Sequence, residues 1–366
     1  MVPERRQRRI LHVLPADLGR GAQVYAEALV RAMDGAPDHH AVLTIFRAPQ
    51  VALPSGGLGL RSGRARAAGL DLRVPPLLRR ALRRGRPDVV VAHGGEALKY
   101  VALARPRAPL AYYKIGTLTA AARHGSRHRW QRWLLRSADL VAAVSNDAAA
   151  EAVDVLGVDP DRVRVIPNGR DPHPYATLEV SPVPSERPTL GFLGALTAGK
   201  RPLEFLRLVR RLRADGIAFD ACLAGDGPDR DAVEAAAEGL DVDVLGLVTD
   251  VPALLGGWDV LAFTSRPEGE GMPGVLIEAG LAGVAVVATA VPGVRDVIES
   301  GTTGVVVPVD DADALHAAVA ALLVDGRRRR AVGDAARARC EERFTLSASA
   351  AQWQDALDDL AGPVRP

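Results

Sequence analysis

The chain has 366 residues, 48% of them hydrophobic and 25% charged, with mean hydropathy +0.05 and a formal net charge of +2. These values exclude a chain built from membrane spans or low-complexity tracts and suit two ordinary α/β domains, each with its own core. The charge is uneven, because residues 1–170 hold 28 Lys plus Arg against 14 Asp plus Glu and the remainder holds 18 against 30.

In chain order, the basic start RRQRR runs into ILHVLP, a buried strand at 10–15, and Pro15 and Asp17 break the apolar run too early for a signal peptide. The expected location is therefore cytoplasmic. A glycine loop, Gly19 to Gly21, leads into a helix with the text AQVYAEALVRAM. The runs HHAVLTIF, DVVVAH, LAYYKI and DLVAAVS read as further strands between arginine-rich helices and loops. The segment RHRWQRWLLR (127–136) reads as a packed helix, with a lipid-facing role as its rival. The basic front half suits an anionic acceptor or an acidic membrane surface, and a solubilising arginine face explains it equally well.

From VRVIPNGRD to SERP the text is proline-rich and marks a connection between domains. A second alternation follows: strands in TLGFLGAL, FDACLAG, VDVLGL, WDVLAFTS, VAVVAT and GVVVPV, with helices between them and three more helical stretches to the end. The fold class expected is α/β, with two Rossmann-like doubly wound parallel sheets facing across a cleft. The expected boundaries are 1–170 for an acceptor-binding domain, 171–187 for a linker and 188–345 for a donor-binding domain. The terminal helix at about 346–366 is a candidate to pack back on the first domain.

The most informative text is SRPEGEGMPGVLIEAG, a Gly/Pro-rich loop that feeds an apolar helix. Its acids Glu270 and Glu278 lie just over two helical turns apart, so amides from about Gly274 onward can face an anion while Glu278 reaches the same ligand. Glu278 is the sole formally charged residue from Gly274 to Val294, so a solvated face does not account for it, and a buried carboxylate needs a partner. A sugar or ribose hydroxyl is expected to be that partner. Lys200, with Arg201 beside it, follows GFLGAL and can act as a mobile point charge for a diphosphate. Gly21 opens the first helix, where a bare backbone can approach phosphate. His93 ends DVVVAH, where its side chain is expected to point into the cleft.

The pairs Asp229/Asp231, Asp241/Asp243 and Asp311/Asp313 read as caps and loops, so no essential metal is expected. Cys222 and Cys340 read as inert buried thiols.

The blocks GRGAQVYAEALV, DVVVAHG, DLVAAVSN, VIPNGRD, GALTAGKRP, LAGDGP, PEGEGMPGVLIEAGLAGVAVVAT and VPGVRDVIESGTTGVVVPVDDADAL together resemble glycosyltransferase family four. These are retaining nucleotide-sugar transferases of the GT-B fold. The resemblance implies that Glu270 contacts hydroxyls of the transferred sugar and that Glu278 binds the ribose. It implies a diphosphate cradle from the backbone of Gly271, Met272, Pro273, Gly274 and Val275 with Gly21 and Lys200, and it places His93 near the donor or acceptor sugar. It further implies a hexosyl-type sugar moved from a UDP donor, or from GDP as the alternative, to a hydroxyl of a small-molecule, glycan or lipid-linked acceptor. No resident cofactor and no nucleic-acid partner are implied. Two positions depart from the family pattern: Ala195 stands where many members have arginine, and Lys114, Ile115 and Gly116 stand where many have histidine. Two rivals remain, a sugar-nucleotide 2-epimerase and a noncatalytic nucleotide-sugar binding subunit.

Overall fold

The computed structural model describes residues 7–16, 21–33, 38–47, 56–61, 69–178 and 187–361. The expected Gly19 and Arg20 of the glycine loop, and residues 179–186 of the proline-rich connection, lie outside these residues. The chain divides into two compact units, one of residues 1–169 and 346–366 and the other of residues 170–345.

The first unit opens with strand β1 (Arg8–Ala16), helix α1 (Gly21–Met33), and strands β2 (Asp38–Arg47) and β3 (Gly56–Arg61). Helix α2 (Val74–Gly85), β4 (Val89–His93), α3 (Gly94–Ala104), β5 (Leu110–Lys114), α4 (Gly125–Leu135), β6 (Leu140–Ala143), α5 (Asn146–Ala150) and β7 (Val163–Val165) follow. All seven strands are parallel, in the order β3-β2-β1-β4-β5-β6-β7. Helices on a parallel sheet bury its strands on both faces, which is why VVVAH of β4 and LAYYK of β5 are buried at every residue. Two strands depart from the sequence expectation. The glycine-rich β3 carries little apolar signal, and β7 lies in text read as the start of a connection, where pairing with β6 makes a strand of VRV.

The second unit begins with the short α6 (His173–Ala176) and β8 (Thr189–Leu193). Then come α7 (Pro202–Ala214), β9 (Asp220–Ala224), α8 (Arg230–Ala237), β10 (Asp243–Gly246), α9 (Val251–Gly256), β11 (Val260–Phe263) and α10 (Gly274–Leu281). It closes with β12 (Ala285–Thr289), α11 (Val294–Val297), β13 (Val305–Val307), α12 (Ala312–Val324) and α13 (Gly326–Arg343). Its parallel sheet has the order β10-β9-β8-β11-β12-β13. Helix α7 shows how the sequence builds a layer: Pro202 stands in its first turn, and Phe205, Leu208, Val209 and Leu212 recur at helical spacing and are buried. The Asp311 side chain accepts from the Ala314 amide and so starts α12, which agrees with the cap reading of that aspartate.

The last helix, α14 (Leu346–Ala361), belongs to the first unit. Trp353 is fully buried, and its ring packs edge-on to Tyr113 of β5 and parallel to His93 of β4. Ser349 is hydrogen-bonded to the Tyr25 hydroxyl of α1 and donates to the carbonyl of Pro167. Gln354 donates to Asp38, which also takes both forks of Arg8.

Candidate active site

In each sheet the strand order reverses at one place, between β1 and β4 in the first unit and between β8 and β11 in the second. Loops leaving the carboxyl ends of such a pair diverge to opposite faces and leave a crevice, the usual ligand position in doubly wound sheets. The sequence-predicted residues gather at these two places.

In the second unit the loop after β8 and the loop after β11 are tied together. The Arg266 amide donates to the Gly199 carbonyl at 2.7 Å, and the buried Thr264 hydroxyl reaches the carbonyls of Lys200 and Arg201 at 2.9 and 3.1 Å. This stitching brings Lys200 against Glu270, seventy residues away in sequence, in a direct ion pair. Lys200 also lies over the Phe263 ring, 5.3 Å from its centroid. Its ammonium is therefore placed by a carboxylate and a ring.

Glu278, in the middle of α10, is half-buried as its apolar surroundings predict, but it has a protein partner. Arg170 Nε lies 2.7 Å from Glu278 Oε1. Sequence reasoning missed Arg170, although it stands in the quoted block VIPNGRD. Gly274 explains how Arg170 gets there, because a Cβ at that position would stand 1.8 Å from Arg170 Nη2. Burial also raises the Tyr175 hydroxyl pKa, with Glu278 adding to the effect, so the phenol stays neutral beside the pair.

Helix α10 starts after Pro273 with no side-chain cap, so its first amides keep their partial positive charge for an incoming anion. Gly271, Met272 and Pro273 are buried and lead directly into Gly274 and Val275. Arg201, the expected companion of Lys200 at the diphosphate, is placed by its own backbone and by an ion pair. It holds a left-handed backbone at φ 55° and pairs with Asp310 at 2.9 Å. The buried Ser265 hydroxyl, at the carboxyl end of β11, meets no hydrogen-bond partner among the described residues.

In the first unit Gly21 is the first residue of α1. His93 does end β4, and it is only 2% exposed, with Trp353 and Tyr113 against its ring. Its Nε2 lies 2.9 Å from Nδ1 of His12 on β1, and His12 Nε2 lies 3.0 Å from Nδ1 of His40 on β2. The three histidines thus form a line across adjacent strands. Burial lowers the His93 pKa to about 4, and burial together with its two neighbours takes His12 well below the ordinary histidine value. His12 escaped the sequence reading because a single histidine in an apolar strand gives no pattern.

The departures near β5 also have a structural account. Lys114, 2% exposed, donates to Glu151 at 2.6 Å and to the Gly116 carbonyl at 2.7 Å. Glu151 also takes Arg123 at 2.9 Å and the Leu118 amide at 3.0 Å, so one carboxylate fastens the segment after β5. Desolvation lowers the Lys114 pKa while Glu151 opposes it. Cys222 and Cys340 are buried free thiols whose pKa values burial raises to about 11 and about 12, in keeping with inert cysteines.

Among the described residues no three His, Cys, Asp or Glu side chains are arranged to hold a metal ion, and no helix is long and apolar enough to cross a membrane.

Two parallel sheets with ligand loops at both reversals define the GT-B architecture, and solved glycosyltransferase structures share it. The Anabaena protein HepE, solved with UDP and glucose, superposes with a TM-score of 0.80 at 21% identity over 97% of this chain and 100% of that one. Sucrose-phosphate synthase from Thermosynechococcus elongatus gives 0.79 at 18% identity over 97% and 99%. The family model for Glycosyltransferase Family 4 matches residues 19–173, and that for Glycosyl transferases group 1 matches residues 187–325. A GDP-mannose-dependent alpha-(1-6)-phosphatidylinositol monomannoside mannosyltransferase of Mycolicibacterium smegmatis is 30% identical over 72% of this chain and 67% of its own length. The chain belongs to glycosyltransferase family 4. Similarity also extends to the 2-deoxystreptamine N-acetyl-D-glucosaminyltransferase of Streptomyces fradiae and the D-inositol 3-phosphate glycosyltransferase of Nocardia farcinica, both 30% identical. The matches cover 51% and 56% of those two relatives, so the chain spans about half of their length.

Proposed function

We propose that this protein transfers a hexosyl-type sugar, with retention and without a metal, from a nucleoside diphosphate sugar to a hydroxyl of a small-molecule, glycan or lipid-linked acceptor. The observation that carries the reading is the pair of ion pairs, Lys200 with Glu270 and Arg170 with Glu278, set in the loops of the β8/β11 reversal and on uncapped α10. Departure of the diphosphate develops negative charge. The α10 amides are preorganised dipoles that stabilise such charge, and the Lys200 ammonium adds a cation once it exchanges Glu270 for the diphosphate. In this reading the diphosphate competes with Glu270 for Lys200, which frees Glu270 for the hydroxyls of the transferred sugar, and Glu278 accepts from the ribose. Gly21, at the start of α1, is the first unit's candidate phosphate contact, and that unit recognises the acceptor. The anomeric carbon–phosphate oxygen bond breaks, the acceptor oxygen bonds to that carbon on the same face, and the leaving phosphate takes the acceptor proton. UDP is the favoured donor nucleotide and GDP the alternative; HepE, solved with UDP and glucose, supports the former and the GDP-mannose-dependent mannosyltransferase the latter.

Thermal-shift titration with UDP, GDP and their sugars, followed by nucleotide release with and without a panel of acceptors, tests the proposal. Release that depends on acceptor supports transfer. Isomerisation of the donor without acceptor would favour an epimerase, and donor binding without turnover on any acceptor would favour a binding subunit.

The acceptor reading extends to an anionic surface, because α4 packs into the core through Leu134 and Leu135 at its end but leaves its two tryptophans exposed. Trp130 and Trp133 are stacked at 4.9 Å and are 39% and 43% exposed, on a helix that also carries Arg127, Arg129 and Arg132. Exposed indoles among arginines suit an acidic lipid interface. A pocket of about 510 Å³ between the ends of α2 and α3 adds Arg79, Arg83, Arg86, Arg105 and Arg107 to its lining. Salt-sensitive sedimentation with phosphatidylglycerol vesicles but not with phosphatidylcholine vesicles is the expected result, and equal pelleting with both would end this reading.

A further inference from the structure

We infer that Lys114, Glu151 and Arg123 are positioning residues that fix residues 115–118 as a wall of the first unit's crevice, and that this wall selects among acceptor hydroxyls. The second half rests on the reading of the first unit as the one that recognises the acceptor; the first half does not.

The sheet places the segment. β5 lies beside β4, one of the two strands at which the strand order reverses, so the chain that leaves its carboxyl end borders the crevice. There it meets the loop of its neighbour. Gly94 opens α3 with φ 79°, and a Cβ at that position would stand 3.2 Å from Ile115 Cδ1, so Ile115 lies against the β4–α3 junction. Residues 115–118 are half-buried, so part of this stretch is packed and part is accessible to a ligand.

A buried carboxylate holds it. The Glu151 side chain is 4% exposed and gathers donors from three directions. Lys114 Nζ, at the end of β5, reaches Oε2 at 2.6 Å, and Arg123 Nη2, on the 3₁₀ turn Ala120–Arg123, reaches Oε1 at 2.9 Å. The Leu118 amide lies 3.0 Å from both oxygens. The Lys114 ammonium makes a second bond, 2.7 Å long, to the Gly116 carbonyl. Backbone groups on both sides of Thr117 are thus tied to one charged pair.

Stability does not account for such a pair. An ammonium and a carboxylate lose their hydration on burial, and well-packed apolar side chains of the same volume often stabilise a fold as much or more. What apolar side chains lack is direction, and here the bonds of Glu151 and Lys114 set the path of the chain from 114 to 118. Glu151 also begins a π-helical turn, Glu151–Val155, closed by the Leu156 amide on the Glu151 carbonyl at 3.0 Å. Such turns are rare and frequent at functional sites. Ion pair and turn both bear on a stretch that borders the crevice.

Lys114→Met/Glu151→Met replaces the pair by apolar side chains of similar length, and the full chain is expected to fold with a melting temperature close to wild type. Hydrogen exchange read by mass spectrometry is expected to quicken roughly tenfold in the peptide that spans residues 115–118. UDP affinity, read by isothermal titration, stays unchanged because Lys200, Glu270 and Glu278 lie in the other unit. With UDP-glucose as donor and myo-inositol, methyl α-glucoside and octyl β-glucoside as acceptors, the acceptor KM rises roughly tenfold, more than kcat falls, and the order of preference changes. Unchanged exchange overturns the first half, and faster exchange with unchanged acceptor KM and preference overturns the second. A parallel loss of UDP affinity overturns it as well, since it marks general damage. Should the double variant fail to fold, Arg123→Gln, which removes the half-exposed arm alone, is expected to move the same readings less and in the same direction, and no movement overturns the proposal. A wild-type protein that transfers to no acceptor sinks the transfer reading, while the exchange rates still decide whether the pair holds the segment.

Discussion

His12 Nδ1 lies 2.9 Å from His93 Nε2, so the two strands at which the first sheet reverses are joined by a side-chain hydrogen bond as well as by their ladder. Both rings are held neutral, since burial keeps the His93 pKa at about 4 and His12 well below its ordinary value. In the unfolded chain each would titrate near 6.5. Between these values the unfolded state binds more protons, so stability rises with pH. The His93 contribution is complete above about pH 6.5 and lost as pH falls through 4, on the order of 3 kcal/mol. Urea denaturation from pH 7.5 to 4.5 should show a falling midpoint, and His12→Phe/His93→Phe should flatten the curve over that window.

Lys200→Ala and Glu278→Gln are expected to leave the fold intact and to weaken donor use strongly, by roughly a hundredfold in kcat/KM for removal of one such charged contact. Isothermal titration with UDP and GDP, beside turnover, checks the site, and wild-type behaviour in both variants would refute it.

Gly274→Ala perturbs Arg170 at the start of α10. The added methyl meets the far end of a flexible side chain, so the cost to stability is small, while Arg170 is pushed off Glu278. Donor affinity should fall with the melting temperature nearly unchanged.

Gly225→Ala should do the opposite. Its φ is 148°, and a Cβ would stand 1.8 Å from the Gly194 carbonyl oxygen, a backbone atom at the end of β8. A loss of roughly 2 kcal/mol or more is expected in chemical denaturation.

Trp353→Ala removes a fully buried ring packed against His93 and Tyr113. The expected cost is about 3–5 kcal/mol, read from denaturant midpoints at constant slope.

The alternation of strands and helices was legible because parallel-sheet strands are continuous apolar runs and helices such as α7 repeat at 3.6 residues. Strands β3 and β7 were not, since one is half glycine and the other is three residues long and exists through its neighbour. Glu270, Glu278 and Lys200 stood out by spacing and by contrast with their surroundings. Their partners did not. Arg170 lies 108 residues from Glu278 and His93 lies 81 from His12, and nothing in a linear text relates such positions until strand order is known. The closure of the segment after β5 by Lys114 and Glu151 was hidden for the same reason.

Because α14 supplies Trp353, Ser349 and Gln354 to a sheet begun by β1, the N-terminal lobe is completed by a helix that follows the whole of the second unit in sequence. A ribosome-bound chain that has emerged only as far as Thr345 still lacks the cover over His93 and Tyr113. Nascent molecules should therefore acquire the protease resistance of their second lobe first, and a stall before α14 emerges should leave the histidine row uncovered.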